Sequence, residues 1–155
     1  MNLKIIQLGL MDLNDCVDLD QKSLNGLWSK SQWKKELTNP KTISIGIREF
    51  ETKKLVALCS AWLVIDELHI TFMAVHPLHR RKGLGKSLFS DLIKRSKKFQ
   101  TNQIHLEVKD SNESAKAFYN SMGLKTVGKR INFYKDGSNA VLFNKEINTN
   151  HKINN

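Results

Sequence analysis

Cysteine is scarce in this chain, with two in 155 residues, and Cys16 and Cys59 stand 43 positions apart. Small secreted domains are stapled by more and closer pairs, so two reduced thiols and a cytoplasmic location are expected. Long apolar runs are missing as well. The longest, Leu55 to Ile65, holds eleven residues with Ser60 inside it, well short of the roughly 20 needed to cross a bilayer. No membrane partner is expected, and the run reads as a buried strand. The first residues, Met1-Asn2-Leu3-Lys4, carry neither a long apolar region nor a small-residue cleavage site, so no secretion signal is expected. Acids are few, 15 against 25 Lys and Arg, for a net charge of +10. Apolar residues at 40% and charged residues at 26% describe a folded globular chain, neither disordered nor fibrous. The length suits one domain, expected over 1–147, with a polar, disordered tail at 148–155.

The positive charge is concentrated. Residues 76–98 hold eight cations (Arg80, Arg81, Lys82, Lys86, Lys94, Arg95, Lys97, Lys98) and one acid, Asp91, a net +7. Such a window is either a solvated helix face with a basic loop or a seat for a multiply charged anion, meaning a phosphate-bearing cofactor or nucleic acid.

Periodicity places the elements. Leu3, Ile5 and Ile6 suggest a first strand, and Asp12 to Ser23 a helix with Leu13, Cys16 and Val17 inward. Ser29 or Ser31 caps a second helix running through Leu37 to Asn39-Pro40. Isoleucines at 43, 45 and 47 alternate as in a half-buried strand, followed by Leu55–Ile65 and by Leu68–Val75, an antiparallel meander. After Pro77 the period becomes helical, with Leu84, Leu88 and Leu92 in a stripe to about Lys98. A strand at Ile104–Val108, a helix capped by Asp110, Ser111 or Asn112 and ended by Gly123, and strands at Thr126–Tyr134 and Ala140–Lys145 complete the chain. The strand–helix–strand crossover from 68 to 108 makes two neighbouring strands parallel. The expected fold class is α/β (α+β), a mixed sheet of about seven strands with four helices.

Within the basic window the strand ending at Val75 passes through His76-Pro77-Leu78-His79 into Arg80-Arg81-Lys82-Gly83-Leu84-Gly85-Lys86 and then into a helix. Glycines at a helix start admit close backbone approach, and the free N–H groups of the first turn are anion donors, so a pyrophosphate is the expected ligand. The motif is neither a P-loop nor the dinucleotide fingerprint, because position 88 is Leu.

Taken together, Met73-Ala74-Val75-His76-Pro77, Arg80-x-x-Gly83-x-Gly85, Leu106-Glu107-Val108 and Ser111-Asn112-x-x-Ala115-x-x-Phe118-Tyr119-x-x-x-Gly123-Leu124 resemble the GNAT acetyltransferase superfamily. More narrowly, the chain is similar to the ribosomal-protein-alanine N-acetyltransferases, most strongly over 66–145. The resemblance implies a mostly antiparallel GNAT-like sheet whose fourth and fifth strands splay apart, and acetyl-coenzyme A as co-substrate with no metal. The implied cofactor contacts are Met73, Ala74 and Val75, then Arg81, Lys82, Gly83, Leu84, Gly85 and Lys86, with Asn112. Glu107 is implied as proton acceptor and Tyr119 as proton donor to the leaving thiolate. Read from the strand alone, Glu107 shares a face with His105 and could be a solvent-facing carboxylate, while Tyr119 lies on a helix stripe and could be core.

The implied acceptor is a protein N-terminal α-amine, a ribosomal protein's included. Chemistry agrees: an α-amine titrates near 7.7–8.0 and a lysine near 10.4 as reference values, so roughly a tenth of the first is neutral at pH 7. Tyr134, in Asn132-Phe133-Tyr134, is a candidate substrate contact. Asn139 stands where relatives usually have an acid, which could alter recognition of a cationic amine. The rival readings are transfer to a small amine and a basic nucleic-acid-binding module; three Trp and two Tyr offer little for base stacking. His76 and His79 lack a supporting ligand cluster and are read as loop residues rather than metal ligands. His105 is a candidate second base, and Trp28, Trp33 and Trp62 are expected packing anchors.

Overall fold

The computed structural model describes residues 3–147; the tail expected at 148–155 lies outside the described residues. Along the chain run β1 (Leu3–Gln7), α1 (Leu13–Leu24), α2 (Lys30–Thr38), β2 (Thr42–Glu49), β3 (Leu55–Val64), β4 (Glu67–Val75), α3 (Leu84–Ser96), β5 (Gln103–Lys109), α4 (Glu113–Ser121), β6 (Lys125–Arg130) and β7 (Ala140–Glu146). The expected order and number are recovered. The strands form a seven-stranded sheet in the order β1-β2-β3-β4-β5-β7-β6. Pairs β1–β2, β2–β3, β5–β7 and β6–β7 are antiparallel, and β4–β5, joined through α3, is parallel. That parallel pairing has three rungs, Glu67 to Gln103, Leu68 to Ile104 and His69 to His105, although both strands run on.

The chain divides into two compact units. The first comprises the residues up to Leu63 with Ile70–Lys97. Its core joins Leu8, Cys16, Leu19, Trp33, Leu55, Leu58, Phe72 and Ala74, with Trp28 packed against it. Trp28, Trp33 and Phe72 meet in a triangle with ring centroids 4.7–4.9 Å apart, a geometry in which tilted and edge-on faces attract. Asp20, fully buried, ties the α1–α2 connection to this cluster. Its carboxylate accepts from Leu27 N (2.8 Å), Trp28 N (3.0 Å) and Trp33 Nε1 (2.9 Å). Helix α2 starts on Ser29, whose Oγ accepts from Gln32 N while Gln32 returns a bond to Ser29 N, a capping box. Glu36 of α2 is also buried and accepts from Ser60 Oγ (2.9 Å) and Trp62 Nε1 (2.8 Å). Of the expected packing anchors, Trp62 is the exposed one, at 43%, and its N–H ties it to α2 through Glu36. Both cysteines are buried free thiols, pushed up to about 12, Cys59 by burial and Cys16 by burial with Asp12 and Asp15.

The second unit comprises Val64–His69 and the chain from Lys98 on. Along β5, Ile104, Leu106 and Val108 are buried while His105 and Glu107 face the other way, the alternation of a strand with one core face. Helix α4 opens on Asn112, whose Oδ1 accepts from Ala115 N at 3.0 Å, and ends before Gly123, at φ +89°. One strand is shorter than expected. Strand β6 stops at Arg130 rather than Tyr134, because Asn132 turns left-handed at φ +53° and donates its N–H to Asn139 Oδ1 at 3.0 Å. Ile131 and Phe133, inside the expected strand, are 68% and 43% exposed.

Candidate active site

In the first unit the half-buried positions of β4, among them Met73 and Val75, alternate with the buried Ile70, Phe72 and Ala74. The strand leads through a 3-10 turn at Pro77–His79, where Arg80 Nε donates to Val75 O (3.1 Å) and Arg80 Nη2 to Ser23 O (3.3 Å). Arg80 therefore braces the loop. Arg81 follows at φ +62°, and Gly83, the N-cap of α3, at φ +78°. A Cβ at Gly83 would meet nothing within 4 Å, so the glycine answers to backbone conformation and not to packing. It has no side chain with which to cap the helix, and the helical ladder begins only at Ser87 N–H to Gly83 O, 3.0 Å. The amides of Leu84, Gly85 and Lys86 occupy the first turn, beside the exposed Arg81, Lys82 and Lys86. This is a helix start suited to a phosphate group.

The basic window is not one strip. Arg80, Arg81, Lys82 and Lys86 lie at the start of α3; Lys94 and Arg95 fill its last turn, with Lys97 and Lys98 just beyond. Lys86 and Lys94 stand eight residues apart on the helix, roughly 12 Å of rise. The far group complements the negative end of the helix dipole, and Arg95 Nε is paired with Asp91 at 2.5 Å.

In the second unit Glu107 sits on β5 with its side chain 14% exposed, and its Oε2 lies 2.6 Å from His69 Nε2 on β4. The bond from His69 holds the Glu107 carboxyl below the usual range, against the opposing effect of burial. His69 and His105 face each other across the last parallel rung, rings stacked with centroids 4.5 Å apart and 13° between planes. His105 Nε2 reaches Glu67 Oε2 at 3.4 Å, and burial and His69 lower its titration. Donor atoms of His69, His105 and Glu107 lie within 4.8 Å of one another. Two ligands on one tetrahedral zinc, each at about 2.0–2.1 Å, would stand roughly 3.3 Å apart; the 2.6 Å His69–Glu107 contact is a hydrogen bond instead.

Tyr119 is buried on α4, with ring contacts to Phe118 (5.0 Å) and Phe143 (6.3 Å). Its ring belongs to the core whatever its hydroxyl does. Exposed Asn112 spends its side-chain oxygen on the α4 cap, which leaves its amide group for other contacts. Tyr134 is half-buried, its phenol raised by burial and by the charge of Glu107, and Lys109 Nζ lies 5.7 Å from its ring. Lys109 is in turn paired with Asp136 at 2.6 Å. Asn139 closes the β6–β7 connection through Asn132, its side-chain oxygen accepting from Asn132 N. His76 Nδ1 accepts from Leu78 N at 3.1 Å, the loop role expected of it.

His69 is the residue that sequence reading passed over. Its signal was present in the alternation Glu67, His69, Thr71 on one face of β4, but only the strand register brings it to Glu107. A cleft of about 430 Å³ lies elsewhere, in the first unit, lined by Asp15, Lys22, Glu49, Lys54, His76 and His79 among others, and holds no predicted catalytic residue. Among the described residues no helix is long and apolar enough to cross a membrane.

Known proteins supply the remaining observations. The model of the acetyltransferase (GNAT) family matches residues 13–124. A Bacillus subtilis (strain 168) protein, provisionally named ribosomal protein bS18-alanine N-acetyltransferase, is 30% identical over 134 residues, 86% of this chain and 87% of that one. The Escherichia coli (strain K12) protein named ribosomal protein bS18-alanine N-acetyltransferase is 29% identical over 130 residues, 84% and 86% of the two chains. The crystal structure of the ribosomal-protein-S18-alanine N-acetyltransferase from Escherichia coli superposes with a TM-score of 0.87 at 26% identity, covering 98% of each chain. Arabidopsis thaliana NAA60, solved in complex with acetyl-CoA, shares the fold with a TM-score of 0.85 at 15% identity, covering 94% of this chain and 99% of that one.

Proposed function

Since the chain belongs to the GNAT acetyltransferase family, and acetyl-coenzyme A is the acyl donor of its reaction, we propose that it acetylates the α-amino group of a protein N-terminus, with Glu107 as proton acceptor and Tyr119 as proton donor. Glu107 removes a proton from the acceptor ammonium, directly or through one water. The freed amine attacks the thioester carbonyl, whose oxygen a β4 amide such as that of Val75 polarises, and Tyr119 protonates the sulfur as the carbon–sulfur bond breaks. The diphosphate of the donor is assigned to the first-turn amides of α3 and to Arg81, Lys82 and Lys86, its pantetheine arm to the backbone of Met73–Val75, and a polar contact to Asn112. Tyr134 is assigned to the acceptor, and the reduced thiols favour the cytoplasm. The observation that carries this reading is the half-buried, ionised Glu107 held in a fixed geometry by a histidine.

The relatives whose names specify ribosomal protein bS18 support an α-amine acceptor, and a ribosomal protein among candidates. Purified protein incubated with labelled acetyl-coenzyme A and a panel of N-terminal peptides, lysine-bearing peptides with blocked N-termini and polyamines settles the class. Label on free α-amines at a kcat/KM at least tenfold above the other two is expected; preference for a polyamine would replace the reading with small-amine transfer.

The donor site has its own test. Gly83→Ala forces a side-chain-bearing residue into left-handed backbone at a cost of roughly 1–2 kcal/mol, which the turn relieves by moving its amides. Calorimetry should report acetyl-coenzyme A binding weakened by about tenfold, the equivalent of about 1.4 kcal/mol. Wild-type affinity would move the diphosphate away from this turn.

A further inference from the structure

We infer that Trp62 and Glu36 form a seat for a cationic side chain, a lysine or an arginine, that the acceptor carries within the first residues behind its reacting amine. The inference rests on the reading of the acceptor as a polypeptide α-amine and adds a sequence preference which that reading leaves open.

A buried carboxylate without a cation is the starting observation. Glu36 is 7% exposed, and its partners are neutral donors. Ser60 Oγ donates at 2.9 Å, Trp62 Nε1 at 2.8 Å to one oxygen and 3.1 Å to the other, and Thr71 Oγ1 at 3.4 Å. None of the ion pairs among the described residues includes Glu36. A negative charge removed from water with no opposite charge beside it is costly to keep, and in such a place an arriving cation is attracted more strongly than it would be in water. All four residues belong to the first unit.

The same bonds present an aromatic face. Trp62 is 43% exposed on β3, and the grip of the Glu36 carboxylate on its N–H holds the ring in one orientation. The described cation–ring contacts fall on Phe50, Phe99, Phe133 and Tyr134, and none on Trp62. Indole is the strongest of the aromatic faces for a cation, and a charged acceptor on its N–H polarises it further in that sense. A guanidinium or ammonium over this ring meets both the face and the field of Glu36. An aliphatic side chain meets the face alone, and an acid meets repulsion. In a chain of net charge +10, which repels basic segments in general, the pair is a local exception.

Position connects this pair to the acceptor. Thr71, Met73 and Val75 alternate along the half-buried side of β4, and the pantetheine arm is assigned to Met73–Val75. Thr71, in contact with Glu36, continues that row on the side away from α3 and the diphosphate. A molecule that meets the acyl group without displacing the other end of the donor approaches from there.

The test uses the full chain, acetyl-coenzyme A and the best α-amine peptide of the acceptor panel, with Arg, norleucine or Glu placed in turn at its second, third and fourth residues. At one of these positions Arg should exceed norleucine in kcat/KM by about 3- to 10-fold, mostly through KM, with Glu the poorest. Trp62→Leu keeps an apolar cover and loses the ring face; Glu36→Gln keeps a carbonyl for the indole N–H and loses the charge. In each the Arg-to-norleucine ratio should fall below about twofold. Damage to the fold lowers both rates and leaves their ratio, so the ratio isolates recognition. Norleucine equal to Arg at every position in an enzyme that does label α-amines would overturn the inference alone. A ratio kept in Trp62→Leu would overturn the stacking seat, and one kept in Glu36→Gln the part played by charge. Preference for a polyamine over every α-amine peptide would remove the α-amine reading and this inference with it.

Discussion

Replacing Glu107 by Gln lowers kcat by about 10²- to 10⁴-fold, the usual worth of a positioned general base, while acetyl-coenzyme A binds as before. The amide fills the same volume on β5 and can still meet His69, so strand geometry and the neighbouring ring stack are kept. What it loses is the ability to take a proton. Tyr119→Phe completes the experiment: the ring is buried against Phe118 and Phe143, and phenylalanine preserves that packing. A comparable fall in kcat there, with donor affinity unchanged, isolates the hydroxyl as the proton source for the sulfur. Steady-state kinetics paired with calorimetry reads both quantities. A variant with full turnover loses its assigned role, and one with weakened donor binding has been misassigned from chemistry to binding.

Asp20→Ala destabilises the fold by about 3 kcal/mol or more, the range seen when a buried charged group is removed from its partners. Three donors, the amides of Leu27 and Trp28 and the buried indole of Trp33, lose their acceptor at once. Urea denaturation should report the change as a lower midpoint at constant slope. Asp20→Asn restores less than its shape suggests, because one of its two terminal groups is a donor facing donors. A loss below about 1 kcal/mol for Asp20→Ala would mean that the α1–α2 connection is held by the aromatic triangle alone, since a single net hydrogen bond contributes about that much.

Much of this architecture could be read from residue order. Isoleucines at alternate positions announced β2, a serine at 29 or 31 announced the start of α2, and the change of period after Pro77 announced the crossover that makes β4 and β5 parallel. These are local signals, carried by neighbours in the chain. Nonlocal pairings were harder. Glu107 was found by resemblance, and its companion His69, 38 positions earlier, was missed because no pattern within β4 states which residue of β5 stands opposite. The expected strand to Tyr134 also overran its end at Arg130, since Ile131 and Phe133 are exposed and have no core to enter. Asn139, noted because relatives usually have an acid there, accepts from Asn132 N and so takes part in closing a turn, a pairing that no local pattern announces.

The division of the basic residues between the two ends of α3 has a practical corollary. An isoelectric point near 9.7 predisposes a protein to cling to polyanions during purification and in cell extracts. Because Lys94, Lys97 and Lys98 lie at the opposite end of the helix from Gly83, neutralising them trims that stickiness at a cost in dipole compensation of about 0.3–1 kcal/mol per charge at most. The phosphate-facing end is left intact, so solubility engineering and acyl-donor recognition can be pursued on this helix without interfering with each other.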